Sequence, residues 1–209
     1  MKLTRGQIIA IFFCLIPLLA ASYSWIFGRL SANPIQDLTL RSGQAAIRIL
    51  LLSLACTPVK NLLRLNFLMP VRKVLGLAAF FYAAFHFLVF AGWDFEFNPA
   101  WIRDEIAQKP FLRLGLISLL LMLPLAVTSL RKLQARLGSG WRRLHRFVYP
   151  LTALALGHFY LAAKGDVLLP LIYAFVFLVL MLMRFPPLSK ISISSAPGWL
   201  REIDRYMMQ

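Results

Sequence analysis

Long apolar runs dominate this chain and strongly limit what it can fold into. Six can be read in the 209 residues, and each approaches the twenty or so residues that an α-helix needs to cross a hydrocarbon core about 30 Å thick. They cover residues 8–27, 45–59, 74–93, 114–130, 147–163 and 167–183. Hydrophobic residues make up 60% of the chain and charged residues only 15%, unlike a soluble domain. The sequence therefore predicts an all-α bundle of six transmembrane helices.

Basic residues set the orientation of such a bundle, because Lys and Arg beside the spans stay on the cytoplasmic side. With the amino terminus inside, sixteen of them fall in cytoplasmic segments: Lys2, Arg5, Lys60, Arg64, Arg72, Lys73, Arg131, Lys132, Arg136, Arg142, Arg143, Arg146, Arg184, Lys190, Arg201 and Arg205. Five fall on the opposite face: Arg29, Arg41, Arg103, Lys109 and Lys164. This asymmetry predicts that both termini are cytoplasmic. It also explains the net charge of +15 by contact with anionic membrane lipids, without nucleic acid.

The two ends of the chain carry weaker signals. Lys2 and Arg5 before an apolar run resemble a cleavable signal peptide, although the run of about twenty residues is longer than a usual signal core. After Pro197, apolar residues repeat at helical spacing, which is typical of an amphipathic helix lying on a membrane surface. We therefore predict a membrane domain over residues 1–185 and a cytoplasmic interfacial tail over residues 186–209.

Only three histidines occur in the chain, and two of them can reach the same depth in the membrane. His86 lies fourteen residues past Arg72, and His158 lies fifteen past Arg143. At about 1.5 Å of rise per residue, these separations are roughly 21 and 22 Å. If both helices leave the same surface, the two imidazoles lie at one level in hydrocarbon, where a histidine is costly unless it has a partner. A metal-centred cofactor between His86 and His158 would be such a partner.

The third histidine, His145, lies at the predicted inner headgroup boundary. Thirteen residues separate it from His158, or about 20 Å of rise on one helix, a distance that could separate two stacked cofactors. Thirteen residues also rotate a side chain by about 220° around a straight helix, although Pro150 lies between the two histidines and can bend it. The position fourteen residues before His86 is Arg72, so the inner level lacks an obvious pair of histidines.

Three stretches of the sequence resemble the ferric-reductase-like transmembrane family. They are Arg72–Leu77 before His86, Arg113–Ser118 leading to Thr128-Ser129, and Trp141–Tyr149 followed by His158. The tryptophan-to-histidine stretch is the most specific of the three. Within this family, the chain is most similar to the haem-binding membrane subunits of bacterial periplasmic methionine sulfoxide reductase systems, over roughly residues 33–185.

This resemblance implies a haem b electron conduit in the bacterial inner membrane. Such a protein takes electrons from the quinone pool or a reduced flavin and delivers them to a periplasmic molybdenum-containing reductase that repairs oxidised methionine. By position, His86 and His158 would be the axial ligands of an outer haem, and His145 a ligand or cofactor contact on the inner side. The number of haems, one or two, and the binding of FMN stay open. The chain is expected to transfer electrons without catalysing a substrate reaction by itself.

The sequence also departs from part of the family pattern. Larger ferric reductases and NADPH oxidases carry two histidines on the corresponding third helix, together with a soluble flavin and nicotinamide domain. Here Arg72 occupies the first of those histidine positions, and the sequence ends at Gln209. These departures argue against a conventional second haem and against direct oxidation of NADPH by this chain.

Haem propionates are anionic, so nearby cations are candidate partners. Arg48, in the second span, could pair with the outer haem, although an arginine that snorkels towards the headgroups explains it equally well. On the inner side, four cations could bind propionates, a flavin phosphate or a quinone headgroup, and lipid contact explains them as readily: Arg72, Lys73, Arg142 and Arg143.

Other classes of protein stay open at this stage. A ferric-reductase-like haem protein could serve a different electron acceptor. A membrane transporter could also place histidines in mid-membrane, but it would usually show inverted repeats or paired glycine and proline breaks, which are not clear in this sequence. A pure anchor subunit would need no intramembrane histidine.

Overall fold

The computed structural model describes residues 3–163, 165–185 and 197–209, and all regular structure within them is helical. The helices are α1 (Arg5–Ile26), α2 (Pro34–Leu63), α3 (Leu68–Val89), α4 (Pro99–Gln108), α5 (Pro110–Val127), α6 (Arg131–Leu137), α7 (Ser139–Leu144), α8 (Val148–Ala162), α9 (Leu168–Leu182) and α10 (Gly198–Met208). A π-helical turn, Phe90–Asp94, continues α3, and a 3₁₀ turn, His145–Phe147, precedes α8. The prediction of an all-α fold is confirmed. Of the basic residues used to predict orientation, Lys2, Lys164 and Lys190 lie outside the described residues, as does most of the connection from α9 to α10.

Four helical segments of the described chain are long and apolar enough to cross a membrane: Arg5–Ile26, Pro34–Leu63, Leu68–Asp94 and Pro110–Val127. The helices in the fifth and sixth predicted spans, α8 and α9, have 15 residues each. The structure thus supports a multi-pass membrane protein, while the count of six spans stays a prediction. Large apolar side chains cover the outside of the bundle, including Phe12 on α1 and Phe175 on α9, each 67% exposed, as expected of a surface that faces lipid.

Local sequence signals explain where the helices begin. Thr4 and Gln7 form a reciprocal capping box at the start of α1. Asn33 and Asn98 cap α2 and α4, and each is followed by a proline whose fixed φ suits the first helical position. Since Asn33 starts α2 well before the predicted second span, this helix is about twice as long as its most apolar stretch.

Two antiparallel helix pairs form the centre of the bundle, with α2 packed along α3 and α5 packed along α8. Leu54 and Ala79 are fully buried in the first pair, and Leu151 is fully buried in the second. Each pair also has a serine that donates a hydrogen bond to the backbone of the facing helix. Ser53 Oγ donates to the Arg72 carbonyl at 3.1 Å, and Ser118 Oγ donates to the Leu151 carbonyl at 3.0 Å.

One assumption made from the sequence was wrong. His145 and His158 do not lie on a single regular α-helix, because α7 ends at Leu144 and the 3₁₀ turn intervenes before α8. The 3₁₀ turn changes the rotation per residue, so a face angle calculated for a straight α-helix does not apply. Pro150 lies in the first turn of α8, where its missing N–H costs little, and so it does not bend the middle of a helix.

The two ends of the described chain meet at one end of the bundle. The Arg5 guanidinium lies over the Tyr206 ring, 4.2 Å from its centroid. The Asp204 carboxylate accepts a hydrogen bond at 2.9 Å from the Phe67 backbone N–H, in the connection between α2 and α3. Within α10, Leu200 is buried whereas Trp199 is 62% exposed, so this helix is amphipathic, as predicted. The amino terminus, the α2–α3 connection and the tail helix therefore share one side of the molecule.

Candidate functional site

His86 is held on α3 by a hydrogen bond to the neighbouring helix α2. Its Nδ1 lies 2.8 Å from the carbonyl oxygen of Thr39. A carbonyl oxygen can only accept, so Nδ1 must carry the proton and donate. In the neutral ring this leaves Nε2 unprotonated, with a lone pair available to a metal, and a hydrogen bond of this kind also fixes the orientation of a ligating imidazole.

His158 is held in the same way on α8. Its Nδ1 lies 2.8 Å from the carbonyl oxygen of Phe111 on α5, so Nδ1 again donates and Nε2 is again the free nitrogen. The Phe111 ring lies beside the imidazole, with the two ring centroids 5.9 Å apart. Both histidines therefore present the same nitrogen for coordination.

The structure brings these two imidazoles face to edge across a short gap. Their ring centroids are 6.0 Å apart and their planes make an angle of 75°. Two imidazoles that bind one metal ion from opposite sides, at a metal–nitrogen distance of about 2 Å, have centroids roughly 6 Å apart. The spacing of His86 and His158 thus matches that of two ligands of a single metal ion.

A cavity of about 420 Å³ surrounds the pair, between α2, α3, α5 and α8. Apolar and aromatic side chains form most of its wall, among them Ile47, Phe87 and Leu116. Its polar and charged lining, apart from the two histidines, comes from a few residues: Thr39, Gln44, Asp94, Glu105, Lys109 and Ser118. A largely apolar cavity with a few polar groups is typical of a site for a flat, hydrophobic cofactor.

These residues fit a haem better than a bare metal ion. The described residues contain no group of three or more His, Cys, Asp or Glu side chains placed to hold a metal ion. Two imidazoles therefore leave a coordination shell incomplete unless the cofactor supplies the remaining ligands, as a porphyrin does. His86 and His158 would hold the iron. Among the side chains that line the cavity, the cation that could pair with a haem propionate is Lys109, which also contacts Glu105.

Arg48, expected beside the same cofactor, lies in a neighbouring cavity instead. That cavity, of about 630 Å³, lies between α1, α2 and α9. The Arg48 Nε donates to the Tyr173 hydroxyl at 2.6 Å, and its Nη2 donates to the Gln44 side-chain oxygen at 2.9 Å. Gln44 lines both cavities. Arg48 therefore lines the neighbouring cavity and not the one around the histidine pair, because hydropathy alone does not show which side of α2 a residue occupies.

His145 lies away from the histidine pair, at the end of the bundle that is predicted to be cytoplasmic. Its Nδ1 lies 3.2 Å from the Trp141 carbonyl, and the two rings are in contact, with centroids 4.0 Å apart and planes tilted by 31°. Burial lowers the pKa of His145 below its ordinary value, and the positive charge of Arg72 lowers this pKa further. The ring is therefore favoured in its neutral form, which is the form that can bind a metal.

The four inner cations predicted as cofactor contacts differ in their surroundings. The Arg72 Nη1 donates to the Thr57 hydroxyl at 2.9 Å, and Arg72 is partly buried between α2 and α3. Lys73 is also partly buried, whereas Arg142 and Arg143 are exposed on α7. The structure brings Arg72 close to His145 and leaves Arg142 and Arg143 on the exposed surface.

Two charged residues near these sites were not predicted from the sequence. Arg184, after α9, donates to the Leu54 carbonyl and lies over the Tyr149 ring, 5.5 Å from its centroid. Lys109 lines the histidine cavity. In the sequence both residues indicate only topology, because nothing in the linear pattern shows that these side chains turn towards the protein.

Comparison with known proteins supports the resemblance seen in the sequence. The family model described as "Ferric reductase like transmembrane component" matches residues 42–156, more than half of the chain. This range includes His86 and His145 and ends just before His158. No solved structure matches the chain.

Curated relatives cover more of the chain. A "Protein-methionine-sulfoxide reductase heme-binding subunit MsrQ" from Caulobacter vibrioides is 40% identical over 174 residues, covering 82% of each chain. Proteins of the same name from Rhodospirillum rubrum and Bordetella pertussis are each 38% identical, covering 87% and 73% of this chain and 88% and 75% of their own. The chain therefore belongs to the MsrQ family of ferric-reductase-like transmembrane proteins.

Proposed function

We propose that this protein is a membrane electron-transfer subunit that binds one haem b between His86 and His158. The observation that carries the proposal is the spacing of the two imidazoles, whose centroids are 6.0 Å apart. In each ring Nδ1 donates a hydrogen bond to a backbone carbonyl, so Nε2 is the nitrogen free to bind a metal in the cavity that both histidines line. The name shared by the relatives, which calls them heme-binding subunits, agrees with this use of the pair.

The residues of the site suit electron transfer better than catalysis. When bound, the haem would supply reversible one-electron chemistry. His86 and His158 would hold the haem iron through one nitrogen each, a protein ligand set that is typical of electron-transfer sites. The Thr39 and Phe111 carbonyls hold the rings in one tautomer and orientation, and the apolar wall of the cavity excludes water. Because both imidazole rings are bonded to the backbone, we expect little rearrangement of the site when a bound haem gains or loses an electron.

The proposed topology has six spans with both termini in the cytoplasm, in the bacterial inner membrane. The excess of basic residues at one end supports it, as does the meeting of Arg5, the α2–α3 connection and α10 at that end. In this orientation α8 and α9 are the fifth and sixth spans. The histidine pair then lies in the outer half of the membrane, close to the periplasm.

The proposed partners follow from the family. The relatives are named as heme-binding subunits of a protein-methionine-sulfoxide reductase, which supports a partner reductase for this chain. Its periplasmic location and molybdenum centre are proposed from the sequence resemblance alone. The proposed electron donor is the quinone pool or a reduced flavin on the inner side. Arg72, Lys73, Arg142 and Arg143 could contact such a donor, including the phosphate of FMN, and the unpredicted Arg184 adds to the positive charge there.

A single haem is proposed because the inner level lacks a second pair of histidines. His145 precedes His158 by thirteen residues, and the position thirteen residues before His86 is Lys73. Neither Lys73 nor the adjacent Arg72 can replace an imidazole as a neutral nitrogen ligand without losing its proton. His145 is therefore proposed as a contact for the inner electron donor.

The visible absorption spectrum of the purified protein tests the function. Expressed with ample haem, the protein should be red, with bands that sharpen on reduction by dithionite. His86→Ala and His158→Ala should each abolish or strongly alter this spectrum, because either change removes one of two axial ligands.

His145→Ala is the matched control, since it removes an imidazole from the same protein outside the histidine cavity. A folded but colourless wild-type protein would point instead to a transporter or an anchor subunit. Haem that is retained with an unchanged spectrum in both His86→Ala and His158→Ala would contradict the assignment of the ligands. Normal haem binding without reduction by quinol or reduced flavin would point to a different electron donor.

A further inference from the structure

Two glycines face the two histidines at very short range. A Cβ atom added to Gly43 on α2 would lie 3.0 Å from Nδ1 and 3.1 Å from Cε1 of His86. A Cβ added to Gly115 on α5 would lie 2.9 Å from Nδ1 and 3.1 Å from Cε1 of His158. Both approaches are closer than ordinary carbon contacts of about 3.5–4.0 Å. A side chain at Gly115 would force the His158 imidazole to shift, and one at Gly43 would require the His86 imidazole to move by a few tenths of an ångström.

Each glycine lies about one helical turn after the residue whose carbonyl accepts the hydrogen bond from its histidine. Gly43 follows Thr39 by four residues, and Gly115 follows Phe111 by four. In an α-helix the residue four positions on lies directly over a given carbonyl group, because it donates its own N–H to that carbonyl. A side chain there would cover the carbonyl from the side on which the imidazole approaches. Glycine leaves that carbonyl open to a second donor.

This arrangement occurs twice, at a constant sequence separation. Thr39 and Phe111, Gly43 and Gly115, and His86 and His158 are each 72 residues apart. The helix pair α2 and α3 therefore corresponds to the pair α5 and α8, residue for residue at the site. The same arrangement of carbonyl, glycine and histidine occurs in two separate helix pairs. Chance therefore does not explain the close contacts between the glycines and the histidines.

We propose that Gly43 and Gly115 are positioning residues that hold the ligating nitrogens of His86 and His158 in place. Each glycine lets one imidazole lie against its helix and donate from Nδ1 to the backbone, which aims Nε2 away from the helix. The inference rests on the proposed function, in which these nitrogens bind haem. A methyl group at either position pushes one ring off its acceptor and moves its Nε2 with it, while the other ligand is untouched.

Gly43→Ala and Gly115→Ala test this role in the haem-containing protein. Changes in groups that orient a metal ligand typically weaken metal binding by about 10–100-fold. We expect each variant to lose haem at least about tenfold more readily than wild type on dilution into competing apomyoglobin. The haem that remains should show a shifted low-spin electron paramagnetic resonance spectrum and a shifted midpoint potential, because the orientation of one axial ligand has changed.

Gly76→Ala and Gly157→Ala are matched controls within the same two helix pairs. A Cβ at Gly76 would lie 3.5 Å from the Ser53 Oγ, and a Cβ at Gly157 would lie 3.4 Å from the end of the Leu114 side chain. Both are contacts that a protein can accept, although Gly157 is the residue next to His158. These variants should keep the haem affinity, resonance spectrum and potential of the wild type.

The outcomes separate this role from the proposed function. Wild-type protein without haem would overturn both. Normal haem in the wild type, with spectrum, potential and haem retention unchanged in Gly43→Ala and Gly115→Ala, would overturn only the positioning role. Equal losses in all four variants, or failure of only the Gly43 and Gly115 variants to fold in detergent, would assign these glycines to helix packing and also overturn it.

Discussion

Replacing Asp204 by alanine should release α10 from the rest of the protein. The Asp204 carboxylate accepts hydrogen bonds from the Phe67 backbone N–H at 2.9 Å and from the Asn66 side-chain amide at 3.3 Å. Phe67 occupies the N-cap position of α3, and its own side chain makes no capping hydrogen bond. Helix N-termini favour a nearby negative charge. The Asp204 side chain on α10 therefore caps the N-terminus of α3, which has no capping side chain of its own.

The Phe67 contact sets the size of the effect. A hydrogen bond to a charged group contributes about 1.5–3 kcal/mol, and because the Asn66 contact is exposed to solvent we assign it no further contribution. Loss of a helix N-cap costs about 1 kcal/mol. Because the cap and the charged hydrogen bond are the same contact between Asp204 and Phe67, the two energies are not added together. A loss of about 2 kcal/mol corresponds to a roughly thirtyfold shift of the equilibrium towards detached α10.

Amide hydrogen exchange of α10 in the detergent-solubilised protein measures this equilibrium. We expect about thirtyfold faster exchange around Leu200 in Asp204→Ala, and a smaller increase in Asp204→Asn, which keeps an oxygen acceptor without the charge. Glu202→Ala is the control, because it removes the same charge from the same helix, where no described residue forms an ion pair with Glu202. Unchanged exchange in Asp204→Ala, or an equal increase in Glu202→Ala, would refute the capping role.

Three further changes test other parts of the structure. His145→Ala should leave the haem content and the spectrum of the histidine pair intact, because His145 does not line that cavity; loss of all haem would contradict separate sites. Tyr173→Phe should lower the free energy of unfolding in detergent by about 0.6–1.7 kcal/mol, because Arg48 loses a hydroxyl partner within the membrane. The exposed Tyr160→Phe should change it little, and an equal loss there would rule out a specific effect. Ser118→Ala should cost about 0.6 kcal/mol in the same assay, through the lost hydrogen bond to the backbone of α8, and a stability equal to wild type would show that this bond contributes nothing.

The helices were predictable because hydrocarbon imposes a strong length requirement on an apolar sequence. Each of the six predicted spans overlaps a helix, and the amphipathic repeat after Pro197 marks α10. Helix ends were less predictable, since caps override hydropathy there. Asn33 and Pro34 begin α2 in a polar stretch that the apolar run did not include.

The paired histidines were visible in the sequence, but the groups that hold them were not. Thr39 and Phe111 contribute backbone carbonyls, so their side chains give no signal. The pairs α2–α3 and α5–α8 repeat in the same direction along the chain, and so they do not form the inverted repeat that is typical of transporters. A search for glycine and histidine at one fixed separation would have found Gly43 and His86 matched by Gly115 and His158.

Positions that depend on helix rotation were the least predictable. Arg48 lies only five residues after Gly43 on α2, yet it lines the neighbouring cavity rather than the one around the histidines. The face angle calculated between His145 and His158 failed because a 3₁₀ turn interrupts the helix between them. A small error in rotation or helix type moves a side chain from one cavity to another, although its depth in the membrane barely changes.

The number of haem groups per chain, measured by the pyridine haemochrome method against protein mass, tests the central claim most directly. The claim is that His86 and His158 together hold one haem. We expect one haem b per wild-type chain, one in His145→Ala, and close to none in His86→Ala and in His158→Ala. Two haems in the wild type, or a full complement in either of the last two variants, would contradict it.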